Sequence, residues 1–527
     1  MRLKLILSLT GTILAFFGLN FIIPIIIGLY MGEDYLDIFW MFGLPMVLSL
    51  STGIFLHYYF YSEPDIRNRE AFLLVTVAWI LMVIVGALPF IASERLELMS
   101  YEIGIAGAIF ESMSGLSTTG ATVLDLETPA TSIVNTSQYN QGYFDAPKSL
   151  LLWRSQTQWL GGMGIIVLAT IVFSRLFGGG IQVLQAEMPG TGITRLKPQM
   201  AQTARLLWSI YFFMTLFEIS LLSFFSDMPL YDAICNSFST VSTGGFSPQR
   251  ESIGSYDSPF VIVVITFFML ISGINFVILY YVFNNLMDFT KRFSDRIKLS
   301  FKVLRDNDEL SFYLSMVIFS LSLIFVNLIL DTDNIHSNFS NFLHASFQTV
   351  SLLTGTGFTT TNYMSWPQMS IFVLLLAMFT GGCAGSTTGG IKMVRIMLLF
   401  KALKRELILV IHPRAVIKLR IGDKVLNEAL FRNVGVFFFI FIILFLLGAL
   451  VTLYLEGNNP NIGVIDGISV SLSCLANIGP GIGIIGPTET YGAFGDPTLL
   501  FLSFLMMLGR LEIITVLLLF FPDTYRD

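Results

Sequence analysis

Four stretches decide how this chain folds: Ser117-Thr-Thr-Gly-Ala-Thr122, Val241-Ser-Thr-Gly-Gly-Phe246, Thr354-Gly-Thr-Gly-Phe-Thr359 and Ala476-Asn-Ile-Gly-Pro-Gly481. They are versions of one pattern centred on Gly120, Gly244, Gly357 and Gly479, at intervals of 124, 113 and 122 residues. Each follows an apolar run of about a dozen residues, too short to cross a bilayer. The runs are Gly104–Leu116, Leu230–Val241, Phe339–Leu353 and Ile462–Leu475. Each also lies between two longer apolar runs that could cross. The spacing predicts a unit of helix, re-entrant hairpin and helix, used four times around a shared wet centre. Non-helical backbone at membrane depth is tolerated only where protein buries it or it lines water.

Composition agrees. The chain has 527 residues, 54% hydrophobic and 13% charged, with a mean hydropathy of +0.74. A soluble domain carries roughly a quarter charged residues. The fold class is therefore an all-α polytopic membrane protein. Three cysteines (Cys235, Cys383, Cys474) and four histidines (His57, His336, His344, His412) show neither metal-ligand spacing nor a disulfide framework. No phosphate-binding G-x-x-x-x-G-K-[ST] loop is present, which speaks against nucleotide hydrolysis by this chain.

Arg2 and Lys4 precede the apolar run Leu5–Tyr30, longer than a secretory signal and closed by no small-x-small site. It is expected to be a retained first span, with Phe39–Tyr61 as the second. The units then read 1–70 (two-helix extension), 71–204, 205–309, 310–427 and 428–527, with ten full crossings and four partial ones. The segments expected on the cytoplasmic side hold 25 of the 30 lysines and arginines, and the outer segments hold three. That bias obeys the positive-inside rule, puts both termini in the cytoplasm and places all four glycine loops outside.

The loops carry uncharged oxygen ligands. The candidate set is Thr118, Thr119 and Gly120; Ser242, Thr243 and Gly244; Gly355, Thr356 and Gly357; Asn477, Ile478 and Gly479. Neutral carbonyls can replace the water shell of a weakly hydrated monovalent cation, whereas divalent ions usually recruit carboxylates. Glycine lets the loop take φ values that strain other residues, and each short helix aims its partly negative C-terminus at the centre. A lone membrane glycine more often marks helix packing; four in this context favour a filter.

A second feature is Thr380-Gly-Gly-Cys-Ala-Gly-Ser-Thr-Thr-Gly-Gly390, with five glycines in eleven residues. Such a stretch breaks the closing span of the third unit, and a broken helix at mid-membrane lines a cavity, moves, or is a static kink. Gly381, Gly382, Gly385, Ser386, Thr387, Thr388, Gly389 and Gly390 are the candidate gate residues. Arg510 is expected near the middle of the last span, where a charge is costly and usually functional. It is assigned to the loop's carbonyls, with Glu512 a poor partner for it. Basic residues of 284–309 and 391–432 suit anionic headgroups or a cytoplasmic partner.

These residues resemble the Trk-type potassium-uptake membrane subunits (the TrkH/TrkG kind) of the Trk/Ktr/HKT superfamily. The similarity rests on Phe110–Thr122, Gln158–Ile166, Ala186-Glu-Met-Pro-Gly190, Ser242–Phe246, Gly381–Gly390 and Gly509-Arg510. The two leading spans resemble the extra pair of the Trk branch. The resemblance implies a pseudo-fourfold pore in a bacterial cytoplasmic membrane, potassium as the transported ion, and no organic cofactor. In the superfamily it resembles, glycine at all four filter positions goes with potassium, and serine at the first admits sodium; the fourth loop, with Ile478 and Pro480, is the least regular. The resemblance also implies that Gly381–Gly390 obstructs the path below the filter. It further implies a homodimer served by a separate TrkA-like ring that binds nucleotides, with no nucleic acid involved. The runner-up within transport is a KdpA-like subunit of an ATP-driven pump. An inverted-repeat symporter fits poorly, because the short runs all enter from one side. A membrane-embedded enzyme would need clustered His, Asp or Glu, and the spans show only isolated acids such as Glu111 and Glu218.

Overall fold

The computed structural model describes residues 2–61, 68–99, 101–124, 143–168, 200–288, 290–331, 337–415, 417, 420–421, 424–425 and 428–522. The Ala186–Gly190 motif lies outside them. Helices dominate. α1 (Leu3–Leu19) and α2 (Ile22–Met31) form one run broken at Asn20–Phe21, and α3 (Tyr35–Tyr59) returns beside α1. Gly11 and Gly53 meet where the two helices pack. A Cβ on either would sit 2.6 Å from the other's carbonyl oxygen, so only small residues allow this approach.

The order long helix, short helix, loop, closing helix then occurs four times. The first set is α4 (Asn68–Arg95), α5 (Gly104–Leu116) and α6 (Lys148–Leu168). The second is α7 (Met200–Phe225), α8 (Leu230–Val241) and the broken pair α9 (Pro259–Ser272) and α10 (Phe276–Leu286). A polar helix, α11 (Phe293–Arg305), leads into the third set. That set is α12 (Asp308–Leu330), α13 (Asn338–Thr354), α14 (Gln368–Met378) and α15 (Met393–Ile411). A short hairpin, β1 (Arg420–Ile421) with β2 (Lys424–Val425), precedes the fourth. The fourth is α16 (Glu428–Leu455), α17 (Val464–Ala476), α18 (Asp496–Arg510) and α19 (Ile514–Leu517).

Among the described residues, six helices are long and apolar enough to cross a membrane: α1 with α2, α3, α4, α7, α12 and α16. Counting α9 and α10 as one span, bent by 108°, makes seven. Ten were expected from the sequence. The shortfall falls on the closing helices, for a common reason: they are polar or interrupted. α6 buries Arg154, Gln156 and Gln158. α9 gives way to α10 at Gly273–Asn275, where the Asn275 side chain accepts from the Val277 amide at 2.8 Å and caps a new helix. α14 and α15 flank the glycine-rich loop. α18 stops at Arg510, beyond which Glu512 and Ile513 take φ of 60° and 48°. Arg510 is thus the last residue of its helix and not the middle of a continuous span.

Packing runs in a circle. The closing helix of each set packs on the short helix of the next: α6 on α8, α9 on α13, α14 on α17, and α18 back on α5. The long helices turn apolar side chains outward, such as Phe213 and Phe217 on α7 and Phe439 and Leu450 on α16. Contiguous apolar exposure of this kind marks a lipid-facing belt.

Candidate cation site

All four short helices end the same way. One residue past the C-cap or at it, the backbone turns left-handed: Thr118 (φ 52°), Thr243 (55°), Gly355 (71°) and Asn477 (57°). Two residues further, each chain turns left-handed again, now at a glycine: Gly120 (80°), Gly245 (80°), Gly357 (82°) and Gly479 (96°). Matching hydrogen bonds fix the register. Thr119, Gly244, Thr356 and Ile478 each donate a backbone N–H to the last turn of their own helix, to Ser114, Ser239, Ser351 and Ser473 respectively. In the second loop, therefore, the residue matching Gly120, Gly357 and Gly479 is Gly245, one position beyond the Gly244 expected from the sequence. Gly244 matches Thr119.

The four glycines adjoin one another in order. A Cβ added to Gly120 would collide with the Gly244 carbonyl, and one on Gly245 with that of Thr356. One on Gly357 would strike the Ile478 carbonyl, and one on Gly479 the Thr119 carbonyl. The contacts run from loop one to two, three and four and close on loop one. All four glycines border a single recess, which Arg154 also lines.

Side chains brace each loop. Gln158 on α6 spans the second, donating to the Gly244 carbonyl at 2.6 Å and accepting from the Phe246 amide at 3.0 Å. Ser351 donates to the Phe358 carbonyl, and Ser473 and Tyr491 both donate to that of Gly479. The Ser117–Thr119 and Thr354–Thr356 hydroxyl pairs, each 2.7 Å, stand at matching places in loops one and three. Asn477 in loop four donates to the Thr119 hydroxyl at 3.0 Å.

Glu111 is not isolated, contrary to the sequence expectation. Its carboxylate accepts from Arg154 at 2.7 Å, from the Thr122 hydroxyl at 3.0 Å and from the Val123 amide at 3.0 Å. Arg154 also reaches Thr122 and lies 4.1 Å from the centre of the Phe246 ring. This buried pair ties loop one to loop two. Sequence reading named Glu111 but lacked its contact with Arg154, 43 residues further along the chain. Glu218 is buried, and no hydrogen-bond partner for its carboxylate occurs among the described residues.

Below the loops lies the glycine-rich segment. Its ends are held together: Gly381 donates to the Ile391 carbonyl at 2.9 Å and Met393 to that of Gly382 at 3.0 Å. Ser386 and Thr388 are hydroxyl partners at 2.8 Å, and Thr388 also accepts from the Gly382 amide. Gly385 and Gly390 take positive φ. A Cβ on Gly389 would collide with the Ala476 carbonyl at the end of α17, so the segment abuts the underside of the fourth loop. Thr387 lies under the second, 3.3 Å from the Thr243 hydroxyl. Arg510 donates to the Thr387 carbonyl at 2.8 Å and to that of Gly161 on α6 at 3.2 Å. Glu512 pairs instead with Arg395. Lys392, which the sequence did not single out, donates to the Thr388 carbonyl at 2.5 Å.

Fold and site together define an integral membrane protein whose four uncharged loops gather at one place. The family model for TrkH, a cation transport protein, matches residues 50–525. The chain belongs to the TrkH family of cation transport proteins. It is 36% identical over 469 residues to the Trk system potassium uptake protein TrkH of Salmonella typhimurium, covering 88% of this chain and 87% of that one. It is 34% identical over 533 residues to the protein of that name from Escherichia coli K12, with both chains fully covered. The crystal structure of the potassium transporter TrkH from Vibrio parahaemolyticus superposes with a TM-score of 0.82 at 31% identity, again over all of both chains.

Proposed function

We propose that this protein takes up potassium across a bacterial cytoplasmic membrane through a gated, K⁺-selective path, with both termini in the cytoplasm. The units 71–204, 205–309, 310–427 and 428–527 are four copies of one pore element, joined to the 1–70 extension. The observation that carries this reading is the closed circle of contacts among Gly120, Gly245, Gly357 and Gly479. Around such a ring, the backbone oxygens of Thr118–Thr119, Thr243–Gly244, Gly355–Thr356 and Asn477–Ile478 replace the ion's water. No side chain in these positions brings a formal charge, which suits a monovalent ion. The family membership and the potassium uptake proteins among its relatives point the same way.

The loop 381–390 is the gate: it sits beneath two of the filter loops and is held by Arg510. The chain has no enzymatic role in this scheme. It acts as a dimer, with a TrkA-like nucleotide-binding ring on the cytoplasmic face biasing the gate.

Reconstitution into liposomes tests the reading. K⁺ or Rb⁺ flux should exceed Na⁺ flux by about tenfold or more, a barrier difference of ~1.4 kcal/mol. Equal rates for Na⁺ and K⁺ would refute selectivity. Failure to restore growth of an uptake-deficient strain at low potassium would refute uptake.

A further inference from the structure

We infer that α11 is an interfacial helix that takes anionic lipid headgroups and passes their presence to the 381–390 loop. At 3.6 residues per turn its thirteen residues show a docked side, an apolar row overlapping its edge, and a charged side. On the docked side, Ser300 is buried and donates to the Val282 carbonyl, and Val303 and Leu304 pack on the protein core. The apolar row is Phe293, Ile297 and Phe301, at 70%, 46% and 64% exposure. The third side is predominantly basic, with Lys298, Lys302 and Arg305 beside a single acid, Asp295.

An aqueous surface gains nothing from two exposed phenylalanines and an isoleucine in line. A helix lying in the headgroup layer does, because the row enters the acyl boundary while the cations meet phosphate. Position agrees, since α11 leads straight into α12, a membrane-crossing helix, at the end about 35 Å from the side where α13 begins. Phe283 on α10 and Met287 at its C-terminal end are exposed as well. The charge argues for an anionic leaflet over a neutral one, each surface lysine or arginine adding attraction.

The link to the loop is covalent and short. α11 is followed by Asn307, whose side chain accepts from the Leu310 amide and starts α12. Two residues on, buried Glu309 accepts from the Ala384 amide at 2.6 Å and from the Val394 amide at 3.2 Å. One carboxylate oxygen thus holds the glycine-rich loop and the start of α15 together. A shift of α11 moves Glu309 and with it this clasp. This coupling rests on the reading of the loop as a gate; the lipid surface does not.

The experiment uses the full-length protein with Phe301→Cys carrying a bimane, the three native cysteines being buried. It is reconstituted in phosphatidylcholine vesicles with and without phosphatidylglycerol. Nitroxide on the lipid should quench the label, more strongly in the anionic vesicles. The triple variant Lys298→Gln, Lys302→Gln, Arg305→Gln should lose that difference, while a Lys298→Arg, Lys302→Arg control keeps it. K⁺ flux should differ several-fold between the two vesicle types for the parent and the control, and not for the triple variant. Quenching by aqueous nitroxide alone would place the row in water, outside the headgroup layer, and overturn the proposal. So would crosslinking of two copies through Cys at 301, which would assign it to a second subunit. Lipid quenching with flux blind to phosphatidylglycerol would overturn the link to the loop.

Discussion

A methyl group distinguishes the two glycines of the second loop. Gly245 has φ 80° and faces the Thr356 carbonyl, so alanine there meets both backbone strain and a fixed oxygen. Gly244 has ordinary φ, and its Cβ would press on the amide of Gln158. Gly245→Ala should therefore lower the K⁺/Na⁺ flux ratio by about tenfold or more, ~1.4 kcal/mol in relative barrier. Gly244→Ala should change it less; the opposite ranking would move the ring by one residue. The sequence could not make this choice, because tandem glycines satisfy the same spacing and only the left-handed turn tells them apart. A second residue-scale test concerns Glu111 and Arg154. Arg154→Met alone leaves a buried carboxylate unpaired, and should cost about 3–5 kcal/mol of stability. The Glu111→Gln, Arg154→Met double variant should recover most of the loss in detergent unfolding measurements. An additive result would deny the pairing its role.

At the scale of elements, the short helices were legible to within a residue or two, α5 and α8 to the residue, because a short apolar run closed by small polar residues and Gly marks its end. The closing helices were not. Hydropathy alone reads Pro259–Phe283 and Thr498–Phe521 as continuous spans, since Gly273-Ile-Asn275 and Leu511-Glu-Ile513 hardly dent an average. Only the stretch of five glycines was dense enough to be seen as a break. The breaks nonetheless have a shared sense: backbone that departs from helix at membrane depth is set against the centre of the molecule, where neighbours satisfy it. The loop held by Arg510 is the sharpest case. Arg510→Gln removes the donors to the Thr387 and Gly161 carbonyls. K⁺ flux in liposomes should rise several-fold, as it should on shortening 381–390. Unchanged flux in both variants would remove the gate from the account.

For the whole molecule, the feature that matters is closure. Helix packing runs α6 to α8, α9 to α13, α14 to α17 and α18 to α5, and the glycine contacts run through the four loops in the same sense. Two levels of structure, side-chain packing between helices and backbone contact between loops, repeat one fourfold order. The sequence disclosed four loops, but not which loop touches which, because that order is set by contacts more than a hundred residues apart. The direct measurement is anomalous diffraction from crystals grown in Rb⁺ or Tl⁺. Density should appear on the axis among the carbonyls of Thr119, Gly244, Thr356 and Ile478, and should vanish in Gly245→Ala crystals grown the same way. A well-ordered ring of loops with no ion between them, or ions bound only elsewhere, would contradict the claim that these four loops are where potassium sheds its water.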